Sequence, residues 1–310
     1  MRPPSRPRVT LIGNANVDVI VRPVASLPEA GTEQRVDKIE VRLGGAAGIS
    51  ALTLAGLGIS SRVIACVGSD PMGSFVRDVL RVRGLSVDDV AVRSGESTAV
   101  SIAFESPARD RSFLIGLGCL AGFSEELIPD DALRADAVMI GGYFLAPRLR
   151  TAPTEHLLRS AKRNGARTFF DTGWDPGGWP ASTREEVCAL LPLVDVFLPN
   201  LDEAVALTGT SEAEPAARAL QSVSGGLVIV KLGAQGCIAV SSRGPAMRMS
   251  APAIDVVDSI GGGDAFNAGF IAALLGGRDV MDALELAVRV GSEVVSRSSQ
   301  DRYPSWSELS

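Results

Sequence analysis

Histidine is nearly missing from this chain: His156 is the only one in 310 residues, which excludes any multi-histidine metal centre. It falls in a helical stretch, Thr154 to Asn164, and reads as a surface residue. The four cysteines, Cys66, Cys119, Cys188 and Cys237, lie far apart and form no Cys-x-x-Cys pair. They read as buried small hydrophobes in a reducing compartment, with no zinc site or disulfide frame. Neither a Walker A loop nor Gly-x-Gly-x-x-Gly occurs, which counts against P-loop and ordinary dinucleotide folds. The absence of Gly-x-Ser-x-Gly leaves a nucleophile-elbow hydrolase unsupported. No apolar run is long enough to span a bilayer. No Lys/Arg cluster tracks a nucleic-acid backbone, and the net charge is −6, so neither a membrane nor nucleic acid is an expected partner. The basic, Pro-rich stretch Met1 to Arg8 runs into a strand pattern without a cleavage site, so no signal peptide is expected. A cytoplasmic location is expected.

What the chain does hold is apolar aliphatic residue. Hydrophobic residues make up 46% and aromatics only 5%, so a large core of Ala, Val, Leu and Ile is implied. Short β-rich runs alternate with helical patterns. Strands are expected at Val9–Gly13, Arg62–Val67, Ala137–Ile140, Arg167–Phe170, Val194–Leu198, Leu227–Lys231 and Cys237–Val240. Helices are expected at Gly45–Leu57, Met72–Val82, Thr154–Asn164, Thr183–Leu190, Leu201–Thr208, Glu214–Ser222, Ala265–Leu275 and Val280–Ser296. Strands apolar on both faces fit a buried parallel sheet covered by helices, an α/β fold. Two stretches break this rhythm, 17–42 and 87–117. They carry alternating patterns, as in Thr98 to Phe104 and Glu33 to Val41. They are read as a small inserted β-sheet placed as a lid at the carboxyl edge of the main sheet. Residues 1–310 are read as one domain.

The most informative stretch is Asp258-Ser-Ile-Gly-Gly-Gly-Asp264-Ala-Phe-Asn-Ala-Gly-Phe270. Three glycines, Gly261, Gly262 and Gly263, precede an apolar helix. Their backbone N–H groups can converge with those of the helix N-terminus to form an anion site suited to phosphate. Asp264 in the first turn would repel that anion, so its presence points to a proton it must remove. An anion cradle beside a general base suggests phosphoryl transfer to a hydroxyl. A Gly-rich helix start with a first-turn acid is the plainer alternative.

With these parts assembled, the chain resembles the ribokinase-like (PfkB) family of carbohydrate and nucleoside kinases over about Val9 to Pro304. The 258–269 stretch matches the family's second signature at every constrained position. Gly44-Gly45-Ala-Ala-Gly-Ile-Ser-Ala51, with Leu57-Gly58, Val67-Gly68-Ser-Asp70 and Gly73, resembles its first. The resemblance implies a three-layer α/β/α sandwich with a mostly parallel sheet and a small inserted β lid. It implies an ATP- and Mg²⁺-dependent kinase acting on a hydroxyl of a sugar or sugar derivative, with nucleosides (or pseudouridine-like molecules) as the alternative acceptors. A non-catalytic ligand sensor on the same fold is a third reading. Asp264 would be the base and Gly261 to Gly263 the anion hole. Asn16, Asp18, Gly44, Gly45 and Ile49 would meet the acceptor. Asn200 and Glu203 match the element that organises Mg²⁺ through water, and the same two residues read independently as a helix-capping pair. Lys231, Gly233 and Gly236 would lie along the nucleotide phosphates, and Val288, Gly291 and Ser292 near the adenine. Asp258 and the segment near Ser298 fall where some members bind a monovalent cation such as K⁺. The family's habit implies a homodimer through the lids. Two departures stand out: Ile49 replaces an Asn, and Cys119-Leu120 replaces an Ala-Asn pair. Both make the acceptor side less polar.

Overall fold

The computed structural model describes residues 9–24, 26–106, 109–298 and 302–309. The Pro-rich start at 1–8 lies outside them, as does the end of the segment near Ser298. In chain order the first elements are β1 (Val9–Gly13), β2 (Asn16–Arg22), β3 (Lys38–Gly44), α1 (Ala46–Gly56), β4 (Ser61–Gly68), α2 (Pro71–Val82), β5 (Val90–Arg93), β6 (Val100–Ser106) and β7 (Arg109–Gly116). There follow β8 (Ala137–Gly141), α3 (Ala152–Arg163), β9 (Arg167–Asp171), α4 (Ala181–Leu190), β10 (Val196–Phe197), α5 (Leu201–Thr208) and α6 (Ala213–Ser224). The last are β11 (Leu227–Lys231), β12 (Cys237–Val240), β13 (Met247–Met249), α7 (Gly262–Leu275) and α8 (Val280–Ser296).

Nine strands form one sheet in the order β13-β12-β11-β10-β9-β8-β1-β4-β5. Every pairing from β5 to β11 is parallel, and β12 and β13 turn back antiparallel. The central strands β1 and β8 are buried at all five positions, as strands covered on both faces must be. Two apolar cores result. One holds α1, α2, α7 and α8 against the sheet; the other holds α3 to α6 on the opposite face. This is the three-layer α/β/α arrangement.

The helices follow their sequence signals. Asp70 accepts from the Gly73 N–H at 2.7 Å and caps α2, with Pro71 in its first turn. In α7, nine consecutive residues from Ala265 to Ala273 are buried, so this helix is core on all sides. The expected strand at 194–198 is reduced to Val196–Phe197, because a 3₁₀ turn at Leu191–Leu193 uses up the approach to it. The short strand β13 had no strong sequence signal.

A second sheet, in the order β3-β2-β6-β7, stands apart from the first. Its outer pairs are antiparallel, and β2 runs parallel to β6. The stretch 87–117 therefore divides. Val90–Arg93 pairs with β4 as the edge of the main sheet, and only β6 and β7 join the small one. Four residues of alternating pattern do not say which sheet they will join.

Candidate active site

Chain reversals at the carboxyl ends of the parallel strands gather the polar residues. Gly13 of β1 lies beside Gly141 of β8, where the strand order departs in opposite directions. Such a switch point opens a crevice. Asn14 and Asn16 leave β1, Asp171 ends β9, Asn200 follows β10 and Lys231 ends β11. A parallel bridge joins Asn200 to Lys231.

Above this edge α7 begins. Gly261 is its N-cap with φ of 82°, a left-handed conformation that glycine adopts without strain. A Cβ there would also lie 2.7 Å from Ile49 Cδ1. Gly262, Gly263 and Asp264 form the first turn, so two of the three glycines lie inside the helix rather than before it. The first N–H groups of a helix lack intrahelical acceptors; here the Gly262 N–H donates to the Ser259 carbonyl at 3.4 Å, and those of Gly263 and Asp264 are left for a ligand. Two cavities meet at this turn. Gly262 and Gly263 line one of about 570 Å³; Gly261 and Asp264 line the other, of about 300 Å³.

The larger cavity brings together every residue that the sequence assigned to the nucleotide side: Asn200, Lys231, Gly233, Gly236, Val288, Gly291 and Ser292. The sequence missed its apolar wall, Ala251 to Ile254 with Val256. Those residues are apolar and lie outside any helix or strand, and Ile254 and Val256 are exposed. An apolar run without periodicity was the only available signal.

Glu203 does not reach this cavity. It is buried, and both its carboxylate oxygens are taken by Asn200: Oε2 accepts from the backbone N–H and Oε1 from the side-chain amide, each at 2.9 Å. The Glu203 N–H donates back to Asn200 Oδ1 at 2.9 Å. The pair is thus a full capping box. Burial, and then the nearby Asp171, push the Glu203 carboxyl up to about 8.

The smaller cavity is lined by Asn16, Asp18, Gly45 and Ile49, as expected, with Asp264. Gly44 lies under Asp18, where any side chain would displace that carboxylate. The Asn14 amide donates to Asn16 Oδ1 at 2.8 Å, and the Asn16 amide donates to Asp18 Oδ1 at 2.9 Å. The chain of amides fixes the carboxylate. Burial raises Asp18 to about 6, against the pull of Arg42. The remaining wall is mostly apolar, with Val100, Phe113, Ile115, Leu120 and Leu145, and also holds Asn14, Ser101 and Asp171.

Asp264 is raised to about 7, first by burial and then by Asp171, against the lowering effect of Lys231. The Lys231 ammonium sits where a side chain on Gly263 would come within 3.5 Å of it. It donates to Asp171 Oδ2 at 2.6 Å, and the Asn267 amide donates to the same oxygen at 2.6 Å. Asp171 and Asn267 were missed by sequence reading. An acid at a strand end and an Asn inside an apolar helix carry no local mark of a shared partner.

Of the other expectations, Cys66, Cys119 and Cys237 are buried while Cys188 is only partly so, because it sits on a helix face at the surface. His156 is exposed and contacts Glu125. No helix among the described residues is long and apolar enough to cross a membrane.

The geometry agrees with what the chain is similar to. The pfkB family carbohydrate kinase description matches residues 6–306. A ribokinase of Haemophilus influenzae is 24% identical over 98% of this chain and 97% of its own length. A 2-dehydro-3-deoxygluconokinase of Thermoproteus tenax is 32% identical over 82% of this chain and 79% of its own length. A solved structure of a putative ribokinase II from E. coli, in complex with ATP and Mg²⁺, superposes with a TM-score of 0.83 at 22% identity over 98% of this chain and 97% of that one. A matching signature over nearly the full length, on this fold, makes the chain a member of the pfkB family of carbohydrate kinases.

Proposed function

We propose that this kinase transfers the γ-phosphate of ATP to a hydroxyl of a sugar or sugar derivative held in the smaller cavity. The observation that carries the proposal is the position of the Gly261–Asp264 turn between two cavities. A donor in one and an acceptor in the other would meet at the glycine N–H groups, beside a carboxylate.

The residues fit both cofactors. The larger cavity is apolar at Val288, Ile254 and Phe266, which suits a base. It is glycine-lined at Gly233, Gly236, Gly262 and Gly263, which suits phosphates. Three carboxyl groups, those of Asp171, Glu203 and Asp264, act on the single Lys231 ammonium, so acid outnumbers base here and a divalent cation would offset the difference. Among the described residues no group of three His, Cys, Asp or Glu could ligate a metal directly. Mg²⁺ would therefore be held through its waters beside Asn200, which lines the cavity and which Glu203 fixes from behind, in keeping with its reluctance to dehydrate. When bound it supplies charge neutralisation at the phosphates.

In the reaction Asp264 accepts the acceptor hydroxyl's proton as that oxygen bonds to the γ-phosphorus and the bond to ADP breaks. A base titrating near 7 is matched to neutral pH. The N–H groups of Gly261 to Gly263 hold charge on the transferred phosphoryl group, and Lys231 adds a fixed positive charge. Asn16 and Asp18 orient the acceptor through its hydroxyls. The small sheet covers the acceptor cavity with Phe113 and Ile115 and would exclude water from it.

A nucleoside acceptor is the second reading. It is favoured by the apolar wall of Ile49, Leu120, Leu145 and Phe113, which suits a flat ring better than a fully hydroxylated sugar. ADP release from Mg-ATP across sugars, sugar acids and nucleosides distinguishes the two. Asp264→Asn is the control and is expected to abolish turnover while sparing ATP binding. Near-normal turnover in that variant would overturn the assignment. The reading extends to a homodimer through the small sheet, supported by Ile39, Val41 and Leu114, which lie exposed there. A monomer in sedimentation at working concentration would count against it.

A further inference from the structure

Behind the glycine turn lies a cluster that the reaction above does not use. Arg302 is only 2% exposed and is among the largest fully buried side chains. Its two terminal nitrogens are bound by oxygens, while its Nε is buried without a hydrogen-bond partner. Nη1 donates to Asp258 Oδ2 at 3.2 Å. Nη2 donates to the Asp258 carbonyl at 3.1 Å and to the Ile260 carbonyl at 2.7 Å. Asp258, itself 2% exposed, also pairs with Arg42 through Oδ2, and its Oδ1 accepts from the Ile260 N–H at 2.9 Å.

A buried carboxylate and two main-chain carbonyls converging on one point are the donor set of a hard cation. This is also the place that the family resemblance offered to a monovalent ion. That ion does not fit here. The Arg302 head already uses all three oxygens, and Arg42 and Arg22 bring further positive charge to the Asp258 carboxylate. Among the described residues a further cation would find these oxygens already taken by guanidinium groups.

We propose that Arg302 is a built-in cation that replaces a monovalent metal and sets the glycine turn from behind. Ile260 immediately precedes Gly261. Its carbonyl is the one that the Asp264 N–H would seek if the helix began a residue earlier. By binding that carbonyl, Arg302 keeps it from the Asp264 N–H and leaves the Gly263 and Asp264 N–H groups for the cavities. Arg302 touches neither cavity, so it is a positioning residue. Its consequence is an enzyme whose stability and turnover are indifferent to K⁺.

The test compares KCl with tetramethylammonium chloride at equal ionic strength. For the wild-type protein the thermal midpoint is expected to be the same in both, and so is kcat once an acceptor is in hand. Arg302→Ala exposes the oxygens. Its thermal midpoint should rise in KCl by about 2 °C, the shift expected for a chain of this length when a cation is present at roughly ten times its dissociation constant. Its kcat should fall by about 10–100-fold, as when an outer-shell partner of a site is lost. K⁺ or methylguanidinium should restore part of the lost turnover, and Arg302→Lys should keep most of the wild-type turnover without either. A wild-type midpoint or rate that depends on K⁺ overturns the proposal, as does an Arg302→Ala protein that neither cation rescues or stabilises. If Arg302→Ala does not fold, the wild-type comparison and Arg302→Lys still decide. Only the turnover arm rests on the kinase reading. Should no acceptor give ADP in either salt, that reading fails while the thermal arm still returns its own answer.

Discussion

Replacing Lys231 by Met removes the one cation among Asp171, Glu203 and Asp264 while keeping the length of the side chain. In the intact site Lys231 holds Asp264 down against burial and Asp171, and the carboxyl still titrates near 7. Its loss has two effects in the same direction. Asp264 loses an attractive charge, and Asp171 loses the ammonium that donates to it at 2.6 Å. A neighbouring opposite charge is worth about 1–3 pKa units. Asp264 is partly open to the cavity, so water screens the pair and the lower end applies. A rise of about one unit takes the deprotonated fraction at pH 7 from about half to about one tenth, roughly a fivefold loss of active base. The assay is kcat/KM for the acceptor across pH, at saturating Mg-ATP, with ADP release as the readout. The acid limb of the Lys231→Met profile should lie about one unit above that of the wild type. The ratio of the two enzymes should shrink by about fivefold between pH 7 and well above pH 8. What remains at high pH is the charge that Lys231 itself offers the phosphates. An acid limb at the same pH or lower would refute the placement of Lys231 as the electrostatic partner of the base.

Two further outcomes follow from the same geometry. The carboxyls of Asp18, Asp264 and Glu203 are raised to about 6, 7 and 8, so the folded chain binds protons that the unfolded chain releases above about pH 4. Stability from these groups is therefore highest at and below about pH 4 and declines as pH rises to about 8. The thermal midpoint of the ligand-free protein should fall across that window, and a flat or rising trend would contradict the burial of the three acids. Gly261→Ala meets two obstacles, a φ of 82° and Ile49 Cδ1 at 2.7 Å from the new Cβ. It should cost more than about 1 kcal/mol of stability and about 10²–10³ in kcat as the N–H cradle shifts. Unchanged turnover would show that the cradle does not depend on that turn.

The sequence alone determined the layered α/β fold and the phosphate-binding turn, because both depend on neighbours in the chain. Doubly apolar strands require cover on both faces. The run Gly261 to Asp264 before an apolar helix carries its chemistry within a few residues. Asn200 and Glu203, three apart, likewise announced a capping pair, and the box is fully formed. Tertiary structure alone decided what depends on distant partners. Val90–Arg93 joined the main sheet because β4 offered it a free edge. Asp171 and Asn267 became part of the site only where β9, β11 and α7 converge on Lys231. Ile49, which by sequence was a missing amide, also proved to pack against Gly261. Arg302 follows the last long helix without any motif. It acquired its role because the chain returns to place a guanidinium against the Asp258 and Ile260 carbonyls. A charge buried at 2% exposure must find its partners in space, and no local pattern in the sequence records where they are.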